Sequence, residues 1–584
     1  MNPPALPSPS PGARSPHQRV GTILAVRRFS VARRCFPPPQ APPAVRGWFA
    51  QGLVPAVTIV FGVLGVSFFG VLGVSPRTVD AATPQSGPES KVQPPLAEGD
   101  EDAGTTGSNA GRKGPNIVFI LADDLGYGDL GCYGQEKIQT PNIDRLAAEG
   151  MRFTQFYCGA PVCAPSRCVL LTGKHLGHAA IRDNSEVQPE GQLPLPAEET
   201  TLGELLQRAG YRTAAVGKWG LGPPGSSGDP NRQGFDLFFG YNCQRHAHNY
   251  YPTYLYRNAE RIALDNPPFA AHQKFPADAD PRDPQAFARY SGKDYAPDLM
   301  LDEALRFIRD NRDRPFFLYF ASTIPHLALQ VPETSLAEYL GRFPETPYLG
   351  DKGYLPHRAP RACLAAMISH LDRQVGRIME TLEELGLADD TLVMFSSDNG
   401  PPEDVGGADT RFFASNGPWR GFKGSVFEGG VRVPFIARWP GRVPAGSVSG
   451  HIGIFYDVLP TLMEAVQRPT PSDCDGISFL PTLLGKEQPR RHEFILYEFY
   501  GYGGQQAVRM GRWKGIRLNC YQKPEGPLML FDLETDPKET TDIAAAHPDV
   551  VARLEEILRT EHRDHPYWDF REKRRPPRPA AAAR

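Results

Sequence analysis

The sequence predicts an α/β fold. The expected architecture is a large, mostly parallel mixed sheet flanked by helices, with a small C-terminal domain of antiparallel sheet plus helix. Three observations carry this expectation. NIVFILA (116–122), PFFLYFAST (315–323) and TLVMFSS (391–397) are short runs that are apolar almost throughout, as in strands buried on both faces. Between such runs lie stretches with apolar residues at helical spacing, and that alternation argues for a parallel sheet covered on both sides. After about Arg490 the texture changes to short strands punctuated by turns.

In chain order, residues 1–79 contain no Asp or Glu but eight arginines. Within them LVPAVTIVFGVLGVSFFGVLGV (53–74) runs 22 residues without a charge. That length can span a bilayer, and a basic flank before it reads as an export signal or membrane anchor. Residues 80–114 are rich in Pro, Gly, Ser and acids and form a linker. The main α/β domain is expected over 115–489, a C-terminal α+β subdomain over 490–570 and a basic tail over 571–584. TPNIDRLAAEG (140–150) predicts a short helix with Thr140 as N-cap and Gly150 as its stop, and MRFTQFY (151–157) a strand. TLGELLQRAGYRTAAVGKWG (201–220) repeats the helix–strand pattern. Residues 222–295 are loop-rich and dense in Tyr, Asn, Pro and His. A long helix begins at Arg361 and stops near Gly386, and VPFIARWPG (433–441) is a further strand. FILYEFYG, AVRMGRWKGIRLN and LMLFDLETDP supply the late strands, and DVVARLEEILRTEH (549–562) the closing helix.

Composition narrows the function. With 40% hydrophobic and 22% charged residues the chain suits a soluble globular protein, and a net charge of −3 without central charge runs excludes a nucleic-acid surface. One apolar span excludes a multi-span transporter. The nine cysteines form no CxxC and no Cys/His set with zinc spacing; Cys158 with Cys168 is the nearest candidate disulfide pair.

Two pairs, Asp123-Asp124 and Asp398-Asn399, stand where predicted strands end. Ligands collect beyond the carboxyl ends of strands in such sheets, and all-oxygen donors select a hard cation, Ca²⁺ first and Mg²⁺ second. Either pair alone reads equally as a turn or helix cap. In CAPSRCVLLTG, Cys163 sits where a helix begins, with Arg167 one turn inside. A helix N-terminus and a guanidinium together favour an oxyanion. An ordinary buried cysteine in a turn is the other reading of Cys163.

CAPSRCVLLTG resembles the C-x-P-S-R signature of the type I, formylglycine-dependent sulfatases of the alkaline phosphatase-like superfamily. NIVFILADDLG, GYRTAAVGKWGLG, TIPH, SDNG and WRGFKGSVFEGGVRVPFIARWPG match that family in order, over roughly 115–545 counting LFDLETDPKETTD. The resemblance implies that a formylglycine-generating enzyme oxidises Cys163 to an aldehyde, which hydrates to a geminal diol. One hydroxyl attacks sulfur and displaces the alcohol; the other loses its proton, the aldehyde re-forms and sulfate leaves. It implies Asp123, Asp124, Asp398, Asn399 and residue 163 as calcium ligands. Arg167 would hold the diol, Lys218 and Lys423 the sulfate, and His326 or Lys423 would protonate the leaving oxygen. The substrate implied is a sulfated small molecule or glycan. A phosphonate monoester or phosphodiester hydrolase, or a catalytically silent relative, is the alternative.

One position departs from the family, which has His two residues after the lysine of GKW; here it is Gly220. His246 or His248, in CQRHAHNYYP, is expected to fill the vacancy, His248 preferred. Tyr250, Tyr251, Tyr254 and Tyr256 are either sugar-stacking rings or core aromatics.

Overall fold

The computed structural model describes residues 114–572. The apolar run 53–74, the linker up to 113 and the tail from 573 lie outside them. No helix among the described residues is long and apolar enough to cross a membrane.

The main sheet has ten strands: β1 (Asn116–Ala122), β2 (Met151–Tyr157), β3 (Arg212–Lys218), β4 (Leu237–Tyr241), β5 (Tyr254–Arg257), β6 (Glu260–Ala263), β7 (Phe316–Ala321), β8 (Thr391–Ser397), β9 (Arg432–Arg438) and β10 (Ser447–Ile454). Their spatial order is β10-β2-β9-β8-β1-β7-β3-β4-β5-β6. β1 pairs in parallel with β7 and β8, β3 with β7 and β4, and β2 with β10. β9 is antiparallel to both β8 and β2, and β5 to both β4 and β6. The sheet is therefore mixed and mostly parallel in its centre.

β1 shows why its run is apolar throughout. Ile117, Phe119 and Leu121 join one core, and Val118, Ile120 and Ala122 join the other. Helices 163–172, 202–208 and 458–465 cover the first face, and helices 141–148, 296–310 and 360–384 the second. Alternating side chains need apolar surroundings on both sides, so no polar position survives. The helix Pro141–Ala148 starts after Thr140 as expected, but the Thr140 hydroxyl does not cap it. That oxygen accepts from Gly131 N–H at 2.8 Å and faces Asp144 instead.

The second sheet is an antiparallel meander of β11 (Ile495–Phe499), β12 (Gln505–Met510), β13 (Trp513–Leu518) and β14 (Met529–Asp532). Helix Pro548–Thr560 packs Leu554, Ile557 and Leu558 on its Leu496, Val508 and Leu530. A buried ionic cluster ties this sheet to the main one. Lys514 Nζ lies 2.8 Å from Glu428 Oε1 and 2.9 Å from Glu539 Oε1, and Tyr157 OH donates to Glu428 Oε2 at 2.6 Å.

Candidate active site

The topology delivers the predicted residues to one edge. β1, β3, β7 and β8 are parallel, and β2, antiparallel to β9 as β8 is, runs with them. Their carboxyl ends therefore share a rim, where ligands of α/β sheets collect. Asp123 and Asp124 follow β1, Lys218 ends β3, His326 follows β7 and Asp398-Asn399 follow β8. Cys163 is the first residue of the helix Cys163–Thr172 that follows β2.

Cys163 Sγ lies 3.5 Å from Asp123 Oδ1, 3.6 Å from Lys218 Nζ and 3.5 Å from Lys423 Nζ. The lysines are themselves held by carboxylates: Lys218 Nζ donates to Asp123 Oδ2 at 2.6 Å, and Lys423 Nζ to Asp124 Oδ2 at 2.8 Å. Arg167 donates through Nε and a terminal nitrogen to Asp398 Oδ2 at 3.1 and 2.8 Å, and through the other terminal nitrogen to Lys218 O at 2.5 Å. Arg167, Asp123, Asp398 and Asn399 are fully enclosed. Burial pushes the Cys163 thiol up to about 12, although Lys218 and Lys423 pull the other way. An unmodified Cys163 would be a protonated thiol at neutral pH and a poor nucleophile. Burial opposes the charged form of Asp123, but Lys218, His326 and Arg167 hold its carboxyl well below the ordinary carboxylate range.

Several features fit a divalent cation. Ligating atoms of Asp123, Asp124, Cys163 and His326 lie within 4.8 Å of one another. Asn399 spends both amide hydrogens, on Asp124 Oδ1 at 2.7 Å and on Gly400 O at 2.9 Å, which fixes the flip of the amide. Its Oδ1 is left buried without a partner. A buried acceptor in that state can be satisfied by a bound cation or water. Asp124 holds φ at +66°, a left-handed conformation that costs energy for a residue with a Cβ. Three carboxylates (Asp123, Asp124, Asp398) face three cationic side chains (Arg167, Lys218, Lys423), so the cluster is formally neutral. A divalent ion would leave it positive for an anionic ester. Asp398 sits behind this group: Oδ1 accepts from Asp124 N–H at 3.1 Å and Oδ2 from Arg167.

A cavity of about 400 Å³ opens over Cys163. His326 presents only Nε2 to it, because Nδ1–H donates to Leu327 O at 2.5 Å. His248 lines the cavity, stacks on His326 with ring centroids 4.9 Å apart, and bonds through Nδ1 to His272 at 2.9 Å. His246 does not line it. Its ring packs on Tyr241 and Tyr254 and faces Glu190. Tyr250, Tyr251 and Tyr256 are core residues and Tyr254 is half-buried against that core; the Tyr250 hydroxyl lies 2.6 Å from the Thr323 and His326 carbonyls, bracing the loop that carries His326. Cys158 and Cys168 are free, so the expected pairing does not form; the Cys158 thiol faces Ala160 O at 3.1 Å. Gln244, Tyr354 and Tyr502 also line the cavity. Tyr354 and Tyr502 lie in loops outside the motifs, whereas Gln244 lies within CQRHAHNYYP, whose histidines rather than its glutamine stand out in the sequence.

A family model described as Sulfatase matches residues 115–467. The chain belongs to the sulfatase family. A second model, N-sulphoglucosamine sulphohydrolase, C-terminal, matches residues 418–564 of this sulfatase. Human arylsulfatase A is 35% identical over 484 residues, covering 76% of this chain and 87% of its own. The N-acetylgalactosamine-6-O-sulfatase of Bacteroides thetaiotaomicron is 32% identical over 502 residues, covering 76% of this chain and 92% of its own. Among solved structures, Ps i-CgsB in complex with k-i-k-neocarrahexaose superposes with a TM-score of 0.64 at 28% identity, over 77% of this chain and 93% of that one. The phosphonate monoester hydrolase of Agrobacterium radiobacter shares the fold, with a TM-score of 0.52 at 21% identity, over 76% of this chain and 95% of its own. As a sulfatase the chain is a sulfuric ester hydrolase.

Proposed function

We propose that this sulfatase removes sulfate from a glycan, using residue 163 as formylglycine and a bound calcium ion. The observation that carries the reading is the placement of Cys163 Sγ within 3.6 Å of two lysine ammonium groups and of the Asp123 carboxylate. A group at that point is set to meet an anion. Asp123, Asp124, Asn399 and residue 163, with Asp398 behind them, would hold the cation, which supplies Lewis acidity toward sulfate oxygens. The aldehyde of a converted residue 163 supplies a hydrated nucleophile that a thiol pushed up to about 12 does not.

The remaining work falls to side chains already in position. Lys218 and Lys423 offset the charge that builds on the sulfate oxygens. Arg167 fixes Asp398 and closes the floor of the site against water. His326 or Lys423 passes a proton to the leaving oxygen. A glycan substrate is supported by the k-i-k-neocarrahexaose of the Ps i-CgsB complex and by the amino sugar in the name of the Bacteroides relative. A formylglycine-generating enzyme would act on the chain during maturation. The apolar run 53–74 would export or anchor the protein outside the cytoplasm.

The test is a panel of p-nitrophenyl sulfate, an aryl phosphodiester and an aryl phosphonate, with protein co-expressed with the converting enzyme. The sulfate ester should turn over fastest, and Cys163→Ala should reduce it to background. Preference for the phosphorus esters would replace this reading with the phosphonate monoester or phosphodiesterase one.

A further inference from the structure

Gly220 stands two residues beyond Lys218, with φ at +81°. A Cβ there would meet Gln244 and nothing nearer: its Nε2 at 2.8 Å, its Cδ at 3.3 Å and its Cγ at 3.4 Å. Gln244, arriving from the turn after β4, fills the space that a side chain on residue 220 would take. It is only 6% exposed. Its Nε2 is enclosed and has no hydrogen-bond partner. Even so, Gln244 lines the cavity shared by Cys163, Lys423 and His326. His248 does not compete for this space, since its ring is stacked on His326 and tied to His272.

A carboxamide in a water-poor place with an unused NH₂ is costly unless something pairs with it. The ends of a terminal amide can exchange by a half-turn of its last torsion, so the NH₂ can be the end turned to the cavity. The cavity that Gln244 lines also holds Cys163 and Lys423, between which the anion of a sulfate ester would sit, so the partner offered to an NH₂ there is an anionic oxygen. We propose that Gln244 is a positioning residue for the sulfate group, its amide donating to a non-bridging sulfate oxygen from the side left open by Gly220. The inference rests on the sulfatase reading of the site. It also assigns this wall a chemical limit: a carboxamide orients the ester but takes up no proton near neutral pH, so the base for expelling sulfate stands elsewhere.

The test compares Gln244→Met and Gln244→Glu, which keep the length of the side chain, with wild type carrying its metal. Calorimetric binding of inorganic sulfate and the kcat and KM for p-nitrophenyl sulfate are read together. Gln244→Met should weaken sulfate binding about tenfold through the lost hydrogen bond. Gln244→Glu should weaken it about a hundredfold by adding a carboxylate against the anion. Thermal midpoints should stay close to wild type. A merely structural glutamine would not order the variants in this way. Sulfate binding within twofold of wild type in both variants overturns the proposal, as does a wild type that binds no sulfate. A wild type that binds sulfate, with the variants ordered as stated, but hydrolyses no sulfate ester upholds Gln244 as an anion ligand and removes the hydrolytic reading instead.

Discussion

Lys218 has one role in the bare protein and, in the proposed mechanism, another in the reaction. Its Nζ neutralises Asp123 and points at residue 163. Lys218→Ala should lower kcat for an aryl sulfate by about 10²–10³, the cost of losing one preorganised donor to the transition state. Conversion of residue 163 should be unaffected, which separates a catalytic loss from a maturation defect. A second residue sets acid stability away from the site. His175 is 4% exposed, and its Nδ1 accepts Gly177 N–H at 3.1 Å. Burial brings its pKa down to about 3 from 6.5, against the opposing pull of Asp475. Because the folded value is depressed, the unfolded chain binds the extra proton. The stability is complete above pH 6.5 and drains as pH falls toward 3. Thermal midpoints of wild type should drop through that window, and His175→Gln should flatten the drop. An unchanged slope in the variant would assign the acid lability to other groups.

Elements were legible where one rule governed every residue in them. The apolar run of β1 reads as a doubly buried strand because its side chains alternate between two apolar cores. The direction of β9 was not legible. VPFIARW is as apolar as its neighbours, and its antiparallel setting comes from which strands flank it, not from its residues. Asp-Asp and Asp-Asn were readable as site elements because they close strands, whereas Gln244 lies in a turn where a polar residue needs no explanation. Tyr250 is undecided in the sequence for a related reason: an aromatic in a loop-rich stretch can be a platform or a brace, and burial chooses the brace. The join between the two sheets carries its own prediction. Lys514, Glu428 and Glu539 are at most 1% exposed at the side chain. Lys514→Met should destabilise the fold by about 3–5 kcal/mol, since it strands carboxylates in the interior. Urea unfolding would measure this, and Lys514→Met combined with Glu539→Leu should recover part of the loss. Equal stability of wild type and Lys514→Met would mean that the cluster holds nothing together.

At the scale of the molecule, the fold brings four parallel strand ends and one helix start to a single rim, and the charges there cancel only until a divalent ion is added. Ion binding should therefore be felt as global stability. Chelation should lower the thermal midpoint and abolish turnover, and calcium at a hundred times its dissociation constant should return about 2.7 kcal/mol. Magnesium restoring both equally well would reassign the ion. The central claim is more local: the group that attacks sulfur is residue 163 after its thiol has been oxidised. The most direct measurement is mass spectrometry of the peptide spanning residue 163, from protein made with the converting enzyme and active on an aryl sulfate. An aldehyde at that residue, trapped by a hydrazide reagent and absent from Cys163→Ala, is the result predicted. A fully active protein whose residue 163 keeps its sulfur would contradict it.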